Sequence, residues 1–227
     1  MAVYSKIFER FGNLLLSGFY TTVALTIMSI LIGLVLGFFL AVMRIYGGRV
    51  FKAISISYIE LIRGTPMMVQ LFIIYYGLPS TGLIRFDPMT AAVIGMGLNS
   101  AAYQAEYFRT AFLAIPTGQT EAALSLGMSR IELIFFILLP QIFRIVIPSW
   151  TNELIALTQY SSLAMVLTIM ELTSVAKYIG SKTFLYIQAF TIAGAIYLFF
   201  SFVLTRLMQY FEKVFAIPGV SVTKLRI

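Results

Sequence analysis

Glu153, next to Asn152, lies in the run Ile142 to Met170, whose only other charged residue is Arg144. A carboxylate at membrane depth is costly unless it is paired, hydrogen-bonded or wetted, so it marks a candidate path for a polar solute. Its chemistry would be recognition: an anionic oxygen suits a guanidinium or ammonium group through a charge-assisted hydrogen bond. Two other groups of residues could join it. In Arg63-Gly64-Thr65-Pro66 a proline interrupts the helix, and carbonyls freed near Gly64 and Thr65 can face a cavity but not lipid. Asn99, Ser100 and Tyr103 are spaced i, i+1 and i+4, which puts Asn99 and Tyr103 on one helical face. Each group also has a packing reading. These are an ion pair of Glu153 with Arg63 or Arg144, a simple kink at Thr65-Pro66, and an interhelical hydrogen bond at Asn99. Glu106 and Arg109, one turn apart, read as a structural pair.

Other chemistry is excluded by what the chain lacks. With 0 Cys and 0 His there is no thiol nucleophile, disulfide, thiolate or imidazole metal site, or histidine base. No catalytic residue and no metal site is expected. An intramembrane hydrolase would need paired acids, and the only candidates in spans are Glu106 and Glu153. Gly180-Ser181-Lys182-Thr183 lacks the G-x-x-x-x-G-K-[ST] order of a phosphate loop. The net charge of +7 is scattered between apolar segments, so nucleic acid is not a partner.

The elements that must position these groups are membrane helices. Of 227 residues, 60% are hydrophobic and 11% charged, and mean hydropathy is +0.94, outside the soluble range. Phe11 to Met43 carries no charge over 33 residues, about 50 Å as a helix. Gly64 to Ile84, Pro88 to Ala105 and Thr183 to Thr205 are further uncharged runs of 21, 18 and 23 residues. With Ile142 to Met170, apolar but interrupted by Arg144, Pro148 and Glu153, they predict an all-α integral membrane protein with about five transmembrane helices, the fourth broken and polar. It reads as one domain over residues 1–227, with a core of about 15–215. Orienting the chain with its N-terminus outside puts eleven of the 16 basic residues at inner ends, leaving five outside. The chain is expected to be multi-pass, with the C-terminus cytoplasmic. The tail from Ile217 is expected to be a short cytoplasmic extension. Gly33 and Gly37 form a G-x-x-x-G that could permit close helix contact.

One compact segment, Thr120-Glu121-Ala122-Ala123-Leu124-Ser125-Leu126-Gly127 onward, is too polar to cross and falls on the cytoplasmic side. Thr117 is placed to cap a helix with Glu121 in its first turn, where the dipole favours an acid. Gly127 can end that helix in the left-handed conformation. Ser129 and Glu132 fit a capping box for a second helix running to Pro140. The short first arm should show Ala122, Ala123 and Leu126 on about one face, suited to docking in a partner's groove.

The spacing Glu121-Ala122-Ala123, Gly127, Ile137, Leu139-Pro140 resembles the EAA coupling loop of bacterial ABC importer permeases. Glu60-Leu61-Ile62-Arg63-Gly64-Thr65-Pro66, Val69-Gln70-Leu71 and Tyr75-Tyr76-Gly77-Leu78-Pro79 resemble the polar amino-acid uptake branch, histidine, glutamine and arginine permeases included. So do Asn99 to Tyr103, Ile115-Pro116, Leu139-Pro140-Gln141, Asn152-Glu153 and Ser161 to Ala164. Thr168-x-Met170-Glu171 and Phe211-Glu212 most resemble arginine permease subunits. Relatives carry Lys-Asp-Thr-Ser-Leu where this chain has Gln159-Tyr160-Ser161-Ser162-Leu163, so a charged pair is absent here. The resemblance implies a type I ABC importer permease fold in the inner (plasma) membrane of a bacterial cell, with a helix-turn-helix coupling loop at about 116–140. It implies a transport subunit, not an enzyme, that uses Glu121, Ala122, Ala123, Leu126 and Gly127 to couple to a separate ATPase holding ATP and Mg. Other implied partners are a second permease subunit, identical or homologous, and an extracytoplasmic amino-acid-binding protein. A substrate pocket would draw on Glu153, Asn152, Thr65, Gly64, Asn99, Ser100 and Tyr103, with arginine or another basic amino acid as substrate. An intramembrane enzyme and a passive channel for a polar solute are the alternatives.

Overall fold

The computed structural model describes residues 2–82 and 84–215, so the tail from Ile217 lies outside the described residues. Those residues form helices and turns with no strand. Eight helices follow in order: α1 (Ala2–Tyr46), α2 (Arg49–Arg63), α3 (Met67–Ser80), α4 (Pro88–Ala114), α5 (Thr117–Ser125), α6 (Arg130–Leu167), α7 (Leu172–Thr183) and α8 (Tyr186–Val214). α1, α6 and α8 are each long and apolar enough to cross a bilayer, and α2 with α3 passes the same test as a bent pair. α4, at 27 residues or about 40 Å, is long enough, but its middle is polar and small because protein, not lipid, surrounds it.

α1 runs beside α4, and glycine makes the approach possible. A Cβ at Gly37 would stand 3.0 Å from both the Ala101 carbonyl oxygen and the Ala105 amide nitrogen. At Gly33 it would stand 2.7 Å from the Ser100 hydroxyl oxygen. The G-x-x-x-G pair is therefore the contact surface of α1 on α4. Three apolar clusters follow one another along α1. One, around Ile7 and Leu15, packs against α7 and the start of α8. The next, at Leu25, meets α3, α4 and the end of α6. The last, from Ala41, gathers Phe108, Phe112, Ala123, Leu133 and Ile142, so it joins α5 to the bundle.

Two spans differ from expectation. Gly64 to Ile84 does not cross as one helix: only Met67–Ser80 is helical, and it is bent 103° from α2. Fourteen helical residues reach about 21 Å, so the crossing needs α2 as well. Second, α6 does not break at Pro148, which sits inside the helix. The helix also runs on through Pro140, just after a wide π turn over Leu133–Leu138 that gives the pyrrolidine ring room. The real break comes later: a 3₁₀ turn over Ser161–Leu167, then Thr168 in the left-handed region at φ 66°.

Candidate functional site

At the α2–α3 break, Gly64 caps α2 and Pro66 opens α3. Carbonyls freed there have a designated partner. The Gln70 side-chain amide donates to the Ile62 carbonyl (2.7 Å), the Thr65 carbonyl (3.0 Å) and the Thr65 hydroxyl (2.8 Å). The Gln70 amide oxygen accepts from Asn99 of α4 (3.0 Å). Asn99 therefore makes an interhelical hydrogen bond, and Thr65-Pro66 is a clasped break, not a gentle kink.

α4 has two polar faces. Asn99 and Tyr103 look toward α2 and α3, and the Arg63 guanidinium lies over the Tyr103 ring, 5.2 Å from its centre. Ser100, Gln104 and Tyr107, spaced i, i+4 and i+7, form the other face and meet α1 and α6. Ser100 donates to Glu153 Oε1 at 2.6 Å, and the Tyr107 hydroxyl donates to Oε2 at 3.2 Å. Glu153 is 5% exposed and makes no ion pair with Arg63 or Arg144; two hydroxyls satisfy it instead. Among the described residues the salt bridges centre on Glu106, which binds Arg109 at 2.9 Å and also Arg44 of α1. Glu106 and Glu153 thus have separate partners and form no acid pair.

Beside the break opens a cleft of about 390 Å³, lined by Arg44, Ile59, Glu60, Arg63, Gly64, Tyr103 and Glu106. Gly64 and Thr65 are exposed, and the Thr65 hydroxyl donates to the Leu61 carbonyl (2.9 Å). The cleft can hold a small polar solute between charged groups. Asn152 points elsewhere: it is exposed on α6 while its neighbour Glu153 is buried. The seven predicted pocket residues therefore divide. Ser100 and Glu153 bond each other, Gly64, Thr65, Asn99 and Tyr103 cluster at the break, and Asn152 joins neither group. Gln70, Gln104, Tyr107 and Arg44 were missed. Continuing the face of Ser100 by four and seven residues would have found Gln104 and Tyr107.

The helix-turn-helix elbow at 116–140 has the expected turn with corrected details. α5 is capped by Pro116 without any side-chain hydrogen bond, so Thr117 is its first helical residue and not its cap. Glu121 consequently falls in the second turn, beyond the first-turn amides. Gly127, at φ 83°, ends the helix. Its amide donates to the Leu124 carbonyl (3.0 Å) and that of Met128 to the Ala123 carbonyl (3.2 Å), the paired bonds of a Schellman motif. The capping box is closed by Ser129 N–H to Glu132 (2.8 Å) and Glu132 N–H to Ser129 Oγ (3.3 Å). The Gln141 amide donates to Gln119 (2.7 Å), tying α5 to α6. The single face expected of Ala122, Ala123 and Leu126 is split: Ala123 is 5% exposed against the bundle, whereas Leu126 is 84% exposed. Ala122 and Leu126, four apart, share the outward side.

In the segment that departs from the family pattern, Gln159 and Tyr160 are exposed. Ser161 is buried and donates to the Thr158 carbonyl (2.7 Å), where α-helical geometry gives way to the 3₁₀ turn.

Residues 33–216 match the family model described as binding-protein-dependent transport system inner membrane component. The octopine transport system permease protein OccM of Rhizobium radiobacter is 38% identical over 87% of this chain and 84% of its own length. The arginine transport system permease protein ArtQ of Bacillus subtilis is also 38% identical, over 84% and 87%. In the crystal structure of an amino acid ABC transporter with histidines, one chain superposes with a TM-score of 0.82 at 35% identity, covering 90% of this chain and 95% of that one. A chain of the MetNI methionine ABC transporter, 21% identical with a TM-score of 0.74 over 92% and 99%, shares the fold. With the bent span, the clasped break and the elbow in place, these likenesses leave one conclusion: the chain belongs to the binding-protein-dependent transport system inner membrane components, as an amino-acid ABC transporter permease subunit of the type I importer fold, not itself an enzyme.

Proposed function

We propose that this permease carries a basic amino acid, arginine or a close analogue, through a path in which Glu153 receives the cationic side chain. The observation that carries this reading is the buried Glu153 carboxylate, held by two hydroxyls and, among the described residues, by no cation. A carboxylate with only exchangeable neutral donors can trade them for a charge-assisted bond to a guanidinium or ammonium. Ser100 holds Glu153 on one face of α4, Gly64, Thr65, Asn99 and Tyr103 contribute the part of the path at the break on its other face, and Asn152 faces outward toward a second permease subunit. Support for a polar amino acid comes from relatives named for octopine, L-cystine, arginine and glutamine transport.

The elbow, residues 116–140 within a single domain over 1–227, docks on a partner ATPase through Glu121, Ala122 and Leu126, with Ala123 and Gly127 setting its shape. That ATPase binds ATP and Mg and supplies the energy. The exposed Leu126 beside Ala122 is the kind of small apolar surface a groove accepts. The N-terminus lies outside and the C-terminus in the cytoplasm, as the basic residues favour. An extracytoplasmic binding protein delivers substrate, and a second permease, identical or homologous, closes the path.

The test is uptake into vesicles holding the purified complex, with arginine, lysine, histidine, glutamine and glutamate as substrates. Preference for the basic three, lost in Glu153→Gln, is expected; equal uptake of glutamate would defeat the assignment. In parallel, the ATPase should remain bound to the wild-type permease on purification and leave Gly127→Pro.

A further inference from the structure

We propose that Gln104 is a positioning residue for Glu153, acting through the hydroxyl of Ser100; this rests on the reading of Glu153 as the cation-binding group. Gln104 is 0% exposed on α4. Its side-chain nitrogen donates to the Ile30 carbonyl of α1 (3.1 Å) and to Ser100 Oγ (3.0 Å). The amide oxygen of Gln104 is buried and, among the described residues, has no partner. That imbalance fixes the amide's direction, because a flip would place its oxygen against the Ile30 carbonyl oxygen and strand both N–H donors.

The consequence passes along the chain of bonds. A serine hydroxyl has one proton. With Ser100 Oγ already accepting from Gln104, that proton is free to point only where an acceptor lies, and Glu153 Oε1 lies 2.6 Å away. Ser100 is thereby set as a donor, and Tyr107 meets the second carboxylate oxygen at 3.2 Å. Glu153 is held at both oxygens before a substrate arrives. Pre-arranging an acceptor in this way reduces the ordering cost of binding.

α1 is shaped around the pair. A Cβ at Gly33 would come 2.5 Å from the Gln104 side-chain nitrogen and 2.7 Å from Ser100 Oγ. The notch at Gly33 therefore admits these two polar side chains, in addition to bringing the helices together.

The test is binding of radiolabelled arginine to the purified permease–ATPase complex, without binding protein, in wild type, Gln104→Met, Glu153→Gln and the double variant. Gln104→Met keeps length and removes the donor. It should raise Kd about threefold to tenfold, the loss of one oriented hydrogen bond. In the Glu153→Gln background the same change should add nothing, because the negative charge that it orients toward the substrate is gone. Equal effects in both backgrounds would mean that Gln104 merely supports packing, and an unchanged Kd in Gln104→Met would also overturn the proposal. If Glu153→Gln alone leaves arginine binding intact, the underlying assignment of Glu153 fails instead. A ligand-free readout separates the two cases. The infrared carboxylate band identified by subtracting Glu153→Gln should shift in Gln104→Met, and in the milder Gln104→Asn; a band that does not move in either refutes the positioning role.

Discussion

Two glutamates lie buried in this molecule, and their donors differ in kind. Glu171, 0% exposed, caps α7: its oxygens accept from the Thr173 and Ser174 amides, both at 2.7 Å, and from the Tyr197 hydroxyl of α8 at 3.0 Å. Backbone amides at a helix start cannot turn away without unwinding the helix, and the dipole there adds to their hold. Glu153, also buried, accepts only from side-chain hydroxyls, which can release it without unwinding a helix. A carboxylate held by backbone is fastened for good, whereas one held by hydroxyls can exchange partners. Burial is the same in both; the freedom of the donors separates a structural acid from a binding one.

The sharpest way to break this contrast is to remove each acid. Glu171→Ala should destabilise the permease by about 3 kcal/mol, since it deletes a helix cap and the carboxylate that accepts from the Tyr197 hydroxyl. The measurement is thermal unfolding in detergent, and arginine affinity per folded molecule should stay near wild type. A stable Glu171→Ala protein with lost affinity would invert the contrast. Next in size, Glu153→Gln should raise the Kd for arginine at least about tenfold, the worth of one charge-assisted bond, while unfolding shifts little. The amide still accepts from Ser100 on one side, so the fold keeps its contact.

How much of this was legible from residues alone follows the range of the interactions. The elbow was readable because its bonds join residues within a few positions: Gly127, the Ser129–Glu132 box and the break at Gly64–Pro66 all came out as local chemistry requires. Its errors are those of competition and of tertiary placement. Pro116 takes the cap position that Thr117 was expected to hold, and Ala123 turns inward because Leu133 and Ile134 of α6 fold back over it. Glu153 was identifiable as out of place in an apolar run, yet its partners were not, since Ser100 and Tyr107 lie 53 and 46 residues away. Arg63 and Arg144, the obvious charge partners, lost to two neutral hydroxyls. Pro148 misled because a proline weighs heavily in one-dimensional reading, whereas a membrane helix packed by neighbours carries it without breaking.

The smallest predicted effects come from paired phenylalanine substitutions that trim one donor from each acid. Tyr197→Phe removes a hydroxyl that bonds Glu171 and also lies 3.2 Å from the Thr173 hydroxyl; it should cost about 1 kcal/mol of stability and leave affinity unchanged. Tyr107→Phe removes the 3.2 Å donor to Glu153 Oε2, and its effect should appear in binding. The carboxylate keeps Ser100 as its anchor but loses its second fixed point, so arginine must order it. The expected change is about twofold to fivefold in Kd with stability near wild type. Measured side by side in the same detergent, the two variants should move opposite observables. If Tyr107→Phe instead lowers the unfolding temperature as much as Tyr197→Phe and spares affinity, then Glu153 is as firmly structural as Glu171, and the freedom of its donors has no bearing on transport.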